Sequence, residues 1–413
     1  MNVLVVLNYQ REIPPFMLTE LRYAAQEFDK VIYVTRELQN NNFYLIHDEN
    51  VFMKEIKKSN RFLSLLKLPI LFFRKEIRRE AIQVILHKRN IFQYFQYLGK
   101  ELYCSQNLYH AAHPVIDELF RQGANITIEA AWFDVSAYAS AKLKEKYSSI
   151  QAVSFAHAFE INPKVSGFVG YSCDEYKLNE LDDVYFIAKG MREIYKSALP
   201  QWITYNAQKL HVRYLGNTRY FKLSENRRKN QSTVICSCSS MVDLKRIQII
   251  IETLALWSGS PIMWIHLGGG PLMDELTKLS KEKLDGKVNV QYNFMGKLEN
   301  IDVHKFYRDN YVDLFLNVSE SEGLPVSIME AISYGIPAMA TDVGATREVV
   351  RNNELLLPAD VTPEILLERL SWFVKLSISE REKMGREVMN IWEENFNADI
   401  TGKKYYDNLV RMK

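Results

Sequence analysis

The stretch DLFLNVSESEGLPVSIMEAISYGIPAMATDVG, Asp313 to Gly344, decides how this chain folds. It opens with DLFLNVS, an apolar run with the length and composition of a buried strand. A short polar loop, ESEG, follows. Next comes VSIMEAISY, whose apolar residues fall at helical spacing. Pro325 stands where proline is favoured at a helix start. Gly335 stands where a glycine ends a helix, with Pro337 just beyond. AMAT then reads as a second strand. A strand, loop, helix and strand in this order form the repeating piece of a parallel sheet covered by helices.

Three carboxylates, Glu320, Glu322 and Glu330, crowd into this piece. Acidic side chains are rarely placed so near a core without partners. A helix that starts directly after a strand presents unpaired N–H groups and the positive end of its dipole, which suits a diphosphate. Gly323 lets a ligand come close to the backbone. Carboxylates repel phosphates, so Glu322, just before the helix, and Glu330, in its second turn, are expected to accept hydrogen bonds from hydroxyls. The two oxygens of each match neighbouring hydroxyls of a ribose or a hexose. A sugar nucleotide has all three parts: hexose, diphosphate and ribose. Taken by themselves, the same glutamates also fit a helix cap and a solvated helix face. Glu320 reads as a loop residue.

Working outward, strand-like runs alternate with helical patterns along the whole chain. NVLVVL, KVIYVT, NITIEA, QAVSFAH and DVYFIA read as strands in the first half, and TVICSCS, IMWIHLGG, NVQYNFMG, DLFLNVS and IPAMATDVG in the second. That alternation argues for parallel sheets with helices on both faces. The strands are too many for one sheet, and the polar stretch GNTRYFKLSENRRKNQST, Gly216 to Thr233, interrupts them and reads as the linker. The expectation is an α/β protein of two doubly wound domains, with the ligand in the cleft at the C-terminal ends of the strands. The domains are residues 1–216 and 217–390. A helical segment, 391–413, carries Trp392, Phe396, Tyr405 and Tyr406, and packs either on the second domain or back on the first.

Composition narrows the class. The chain has 413 residues, 47% hydrophobic and 25% charged, as in ordinary globular proteins. A net charge of +2 excludes a globally basic nucleic-acid binder. MNVLVVLNYQREIPP lacks a basic leader, and no apolar run approaches the ~20 residues of a membrane span, so a cytoplasmic protein is expected. The four cysteines then read as reduced thiols. Cys236 and Cys238 would share one face of a strand, with no His/Cys set nearby to complete a metal site.

The surrounding residues carry a resemblance. ESEGLPVSIMEAISYGIPAMATDVGATREVV resembles retaining glycosyltransferases of the family 4 type, which have the two-Rossmann GT-B fold and a signature of two glutamates with seven residues between them, here Glu322 and Glu330. The likeness continues in SCSSMVDLKRIQIIIETL, IHLGGGPLMDEL, FMGKLEN and MGREVMNIWEENF, and reaches back to WFDVSAYASAKLKEKYSSIQAVSFAHAFEI and VRYLGN. Its flavour is the bacterial group that builds capsule, exopolysaccharide or O-antigen.

The resemblance implies roles. Glu330 would hold the nucleotide ribose and Glu322 the donor sugar. Backbone at Gly323, Leu324, Pro325 and Val326 would hold the diphosphate or sugar. Lys245 begins an amphipathic helical pattern and would neutralise the leaving diphosphate. Backbone near Lys297 would meet the base, and Gly268, Gly269 and Gly270 would line the donor site. His157, in FAHAFE, would face donor sugar and acceptor. Trp132 and Asp134 end a strand and fit either acceptor contact or core packing. Ser240 stands where relatives often carry an arginine, which leaves Arg246 as a neighbouring cation. NYQREIPPF replaces the Gly-rich first loop of many relatives.

The implied reaction moves a sugar from a UDP- or GDP-linked donor to a glycan or lipid-linked acceptor, with retention and with no metal or other cofactor. A non-catalytic, sugar-nucleotide-binding partner of another transferase is the alternative. Residues 54–100 hold twelve Lys/Arg and three Glu, a local charge of +9, interleaved with apolar residues. That pattern fits either solvated faces of core helices or a surface for the anionic inner face of the cell membrane. Nucleic acid is not expected as a partner.

Overall fold

Parallel strands buried on both faces read as unbroken apolar runs, and the runs picked out above become nine inner strands of two sheets and one edge strand, from NVQYNFMG. The computed structural model describes residues 1–38, 43, 46–56, 73–87, 91–161, 173–223 and 232–411. The chain divides into two units, Met1–Leu215 with Thr401–Lys413, and Gly216–Ile400.

The first unit is built on seven parallel strands: β1 (Asn2–Leu7), β2 (Lys30–Thr35), β3 (Val51–Glu55), β4 (Asn125–Ala130), β5 (Gln151–Ala156), β6 (Asp183–Phe186) and β7 (Leu210–Val212). Their order is β3-β2-β1-β4-β5-β6-β7. The register sets Val5 opposite Ile32 on one side and Ile128 on the other. All but the first residue of β1 and of β2 are buried. The edge strands β3 and β7 are more exposed. They carry too little apolar sequence to be recognised without their neighbours.

The helix Lys75–Leu86 buries Ile77 and Val84 against Tyr94, Leu98, Leu102, Tyr138 and Cys173. Of the basic stretch 54–100, residues 57–72 and 88–90 lie outside the described residues.

The second unit repeats the plan with six parallel strands: β8 (Thr233–Cys238), β9 (Ile262–Leu267), β10 (Val290–Phe294), β11 (Leu314–Asn317), β12 (Ala338–Thr341) and β13 (Leu356–Leu357), in the order β10-β9-β8-β11-β12-β13. Both orders reverse once, at β1/β4 and at β8/β11. A sheet wound this way opens a crevice beyond the C-terminal ends of the strands at its reversal.

Three expectations need correction. The polar stretch from Gly216 is not loose at its start. Asn217 accepts from Trp392 Nε1 at 2.8 Å, Arg219 donates to the Ser333 carbonyl at 2.9 Å, and a Cβ on Gly216 would lie 2.6 Å from Ala398 N. Residues 224–231 lie outside the described residues. The C-terminal segment does not act as one piece from residue 391. Trp392 and Phe396 are buried in the second unit, and only from Thr401 does the chain belong to the first. Lys245 does not open an amphipathic helix. It closes the 3-10 turn Asp243–Lys245, and the helix Ile247–Leu256 that follows is largely buried. None of the four cysteines is in a disulfide.

Candidate functional site

At the β8/β11 reversal, two loops leave adjacent strands and are tied together. Glu320 N–H bonds to the Leu244 carbonyl at 2.9 Å. Arg246 sits in the left-handed region, φ 48°, and its Nε and Nη2 donate to the carbonyls of Val318 and Ser319 at 2.7 and 3.0 Å. Arg246 therefore clamps the loops rather than presenting these nitrogens to a ligand. Lys245 Nζ lies 2.6 Å from Glu322 Oε1, which also accepts from Asn317 Nδ2 at 3.1 Å. Asn317 in turn accepts from Ser319 N–H through Oδ1 at 3.0 Å. The Lys245 and Glu322 side chains keep 22% and 11% of their surface exposed, so the pair stays open to a ligand.

The helix expected from Pro325 runs from Val326 to Ser333, with Pro325 at its N-cap and no side chain capping it. Its first amides are thus left for something other than a protein side chain. Gly335 ends it with φ 73°. The loop before it needs a glycine further along the chain. Gly344 has φ 57°, and a Cβ there would lie 1.8 Å from the Glu322 carbonyl. Ala345 N–H closes the corner on the Gly323 carbonyl at 2.9 Å.

Glu330 is 7% exposed and accepts from Asn300 Nδ2 at 2.6 Å, with His304 Nε2 at 3.7 Å. Asn300 begins the helix Asn300–Asp309, three residues after Lys297. The Lys297 backbone N is 3.2 Å from where a Cβ on Gly269 would stand, and Gly268 N–H bonds to the Gly296 carbonyl at 2.9 Å. Gly268 and Gly270 have φ of 138° and 157°. Met241 N–H bonds to the Gly269 carbonyl at 2.9 Å, which brings the glycine turn beside the loop that holds Ser240.

Lys245, Glu322 and the Gly323–Val326 loop thus gather at one strand–helix corner. Glu330 joins the Lys297 and glycine loops through Asn300. Asn300 and Asn317 were missed from sequence. Asn300 adjoins FMGKLEN, so its position carried a signal; Asn317 was hidden inside an apolar strand.

His157 belongs to the first unit and is described with it. It follows β5, 7% exposed, with its ring 4.1 Å from Trp132 and 5.4 Å from Phe16. Nε2 is 3.2 Å from the Ala131 carbonyl. Burial lowers its pKa to about 4, so the ring is neutral near pH 7 and Nε2 donates. Glu160 accepts from His157 N–H at 2.7 Å and Phe133 N–H at 3.3 Å, joining the loops after β5 and β4. Burial raises its pKa to about 7. Asp134 caps the helix Val135–Lys146 by accepting from Ser136 N–H at 2.8 Å, a structural use. Among the described residues, no group of three or more His, Cys, Asp or Glu is arranged to hold a metal ion.

Comparison with known proteins bears on the fold and on residues 220–390. Residues 220–390 match the family described as Glycosyl transferases group 1. The O-antigen biosynthesis glycosyltransferase WbnH of Escherichia coli is 35% identical over 114 residues, 27% of this chain and 30% of that protein. The O-antigen biosynthesis glycosyltransferase WclY of Escherichia coli is 25% identical over 179 residues, 42% of this chain and 46% of that one. The chain thus spans about a third to a half of the length of these curated relatives. Among solved structures, Anabaena HepE in complex with UDP matches with a TM-score of 0.67 at 13% identity, covering 100% of both chains. Sucrose-phosphate synthase from Thermosynechococcus elongatus matches with a TM-score of 0.68 at 12% identity, again over 100% of both chains. At such identities these likenesses show the fold, and it is the expected GT-B arrangement of two Rossmann-like domains.

Proposed function

We propose that this protein moves a sugar from a nucleoside diphosphate sugar to a glycan or lipid-linked acceptor, with retention, in the assembly of a cell-surface polysaccharide. The observation that carries the reading is the β8/β11 corner. There a lysine–carboxylate pair, an uncapped helix start and a second carboxylate on the same helix follow one another at the reversal of a doubly wound sheet. HepE, solved with UDP, and the O-antigen relatives favour a UDP-sugar donor and a surface polysaccharide product.

In the proposed reaction the bond from sugar C1 to the diphosphate oxygen breaks, and a bond from C1 to an acceptor hydroxyl oxygen forms on the same face. The hydroxyl proton passes to the departing phosphate oxygen. Negative charge grows on that phosphate, so Lys245 would exchange Glu322 for the diphosphate, and the amides at Val326 would face it. Glu322, released, would accept from donor-sugar hydroxyls, and Glu330 from the ribose. These fixed cationic and N–H groups do what a metal does in other transferases, so no metal is required. His157, neutral and held by Ala131 and Glu160, would contact sugar hydroxyls rather than carry charge.

The basic stretch 54–100 would rest on anionic lipid; Phe73, Ile82, Ile85, Leu86 and Phe92 are exposed there. Absence of salt-sensitive flotation with anionic vesicles would refute that part.

The central test is transfer or donor hydrolysis with a panel of UDP- and GDP-sugars, alongside thermal shifts with UDP and GDP. Wild type is expected to bind and turn over one donor, and Glu330→Ala to lose most of its affinity. A folded wild type that neither binds nor reacts with any of the panel overturns the reading.

A further inference from the structure

Three buried polar side chains lie beneath the candidate site and take no part in the reaction proposed above. Ser237 on β8 stands directly opposite His266 on β9, and Trp264, two residues earlier, points to the same face. Trp264 Nε1 donates to Ser237 Oγ at 2.9 Å. Ser237 Oγ is 2.8 Å from His266 Nδ1, and His266 Nε2 is 3.2 Å from the Ser239 carbonyl. Trp264 and His266 are 0% exposed and Ser237 2%.

The direction of this chain follows from its ends. An indole N–H only donates and a carbonyl only accepts. Ser237 Oγ therefore accepts from Trp264, and its own proton goes to His266 Nδ1. The proton of the neutral imidazole is then on Nε2 and donates to Ser239. Burial keeps the ring neutral, with its pKa lowered to about 4.

Ser239 is the first residue past β8, and its carbonyl is a junction. Its own N–H bonds to the Leu267 carbonyl at 3.0 Å. A Cβ on Gly268 would lie 1.9 Å from its oxygen, so the glycine turn is pressed directly against it. One residue on is Ser240, and the turn Asp243–Lys245 follows. An apolar residue in place of His266 would leave this half-buried carbonyl without its side-chain donor, and an acceptor left unmet where water is largely shut out is costly.

We propose that His266 is a positioning residue for the nucleotide-sugar site. Through Nε2 it fixes the Ser239 carbonyl, and with it the loop that carries Lys245 on one side and the Gly268–Gly270 turn on the other. Ser237 and Trp264 set its tautomer. This rests on the donor-site reading above, and the test separates the two.

UDP and GDP binding are measured by calorimetry on wild type, His266→Ala, His266→Gln and His266→Asn, with a thermal melt of each without ligand. A Gln amide nitrogen reaches about as far as imidazole Nε2; an Asn amide reaches only as far as Nδ1. The Ala and Asn variants are expected to bind the nucleotide about tenfold more weakly, and the Gln variant within about twofold of wild type. Rescue by Gln but not Asn, out of step with the melting temperatures, is the mark of a positioned carbonyl. Equal affinity in all four proteins, or a Gln variant as weak as Ala, overturns the inference. If the Ala and Asn variants do not fold, Ser237→Ala is expected to weaken binding about threefold by unlocking the tautomer, and unchanged binding there overturns it equally. A wild type that binds neither nucleotide takes down the donor-site reading and this inference together. A wild type that binds, with variants that bind as well, takes down the inference alone.

Discussion

At the reversal of the first sheet, the loop after β1 satisfies itself. Asn8 is buried, its Oδ1 accepts from Gln10 N–H at 3.0 Å, and its side-chain amide donates to Tyr33. Thr35 donates to the Gln10 carbonyl at 3.2 Å. At the reversal of the second sheet, the helix start is uncapped, the turns after β9 and β10 are glycines with positive φ, and a lysine–glutamate pair lies open beside them. The strand order through the reversal is the same, and the helix Pro15–Glu27 after β1 also starts without a side-chain cap; the difference lies in the loop side chains, closed on one another in the first sheet and left as a part-exposed lysine–glutamate pair in the second.

The buried charges follow the same division. In the first unit, Arg213 pairs with Glu20 at 2.7 Å and lies over the rings of Tyr405 at 4.1 Å and Phe155 at 5.0 Å. Tyr405 and Tyr406 donate to Glu129 at 3.2 and 3.3 Å. This cluster fastens the C-terminal helix onto the first sheet. It is structural, whereas the Lys245–Glu322 pair is open to exchange.

The contrast can be broken at its strongest point first. Arg213→Ala leaves Glu20 buried without its partner and should cost about 3–5 kcal/mol, read as a large fall in the urea midpoint. A loss below ~1 kcal/mol would mean that the cluster does not hold the helix. Lys245→Ala should do the reverse, leaving the melting temperature nearly unchanged while kcat falls about 10²–10³-fold. Steady-state kinetics beside a melt would show whether the pair serves the ligand or the fold.

A pH series probes Glu129. Burial raises its pKa from 4.5 to about 7, so the folded state holds the proton more tightly than the unfolded chain. The stability this confers is fully present below about 4.5 and is lost as pH rises through about 7. Urea midpoints should fall between pH 5 and pH 8, and Glu129→Gln should remove up to ~3 kcal/mol of that fall. Glu160 contributes in the same direction.

The smallest effects concern two glycines. Gly344→Ala drives a Cβ into the Glu322 carbonyl and should cost about 2 kcal/mol, together with nucleotide affinity. Gly123→Ala, at φ 71° with nothing within 4 Å of a Cβ, should cost about 1 kcal/mol of backbone strain alone. Equal costs measured by urea melts would show that the Gly344 corner yields more readily than its geometry suggests.

Long apolar runs made β1, β2, β4, β5 and the inner strands of the second sheet legible, because a strand buried on both faces has to be apolar throughout. β3, β7 and β13 were not, since edge strands of two to five residues take their shape from the neighbour they pair with; the edge strand β10 was legible in NVQYNFMG by its alternation. In the candidate site, Glu322, Glu330, Gly323 and Pro325 declared themselves by spacing along one strand and helix. Arg246 was read as a spare cation and is a clamp instead: with its backbone in the left-handed region, its guanidinium donates to the Val318 and Ser319 carbonyls just past β11.

The sequence by itself determined the class of the fold, the strand–helix corner and the three glutamates within it, because each depends on residues a few positions apart. Only the tertiary structure decided which groups meet. Lys245 finds Glu322 across 77 positions, Asn300 finds Glu330 across 30, and His266 finds the Ser239 carbonyl across 27. The first and last of these pairs exist because β8, β9 and β11 lie side by side at a reversal of strand order, and Asn300 reaches Glu330 from the helix that follows β10; adjacency in a sheet is set by the packing of the whole unit rather than by any local stretch of chain.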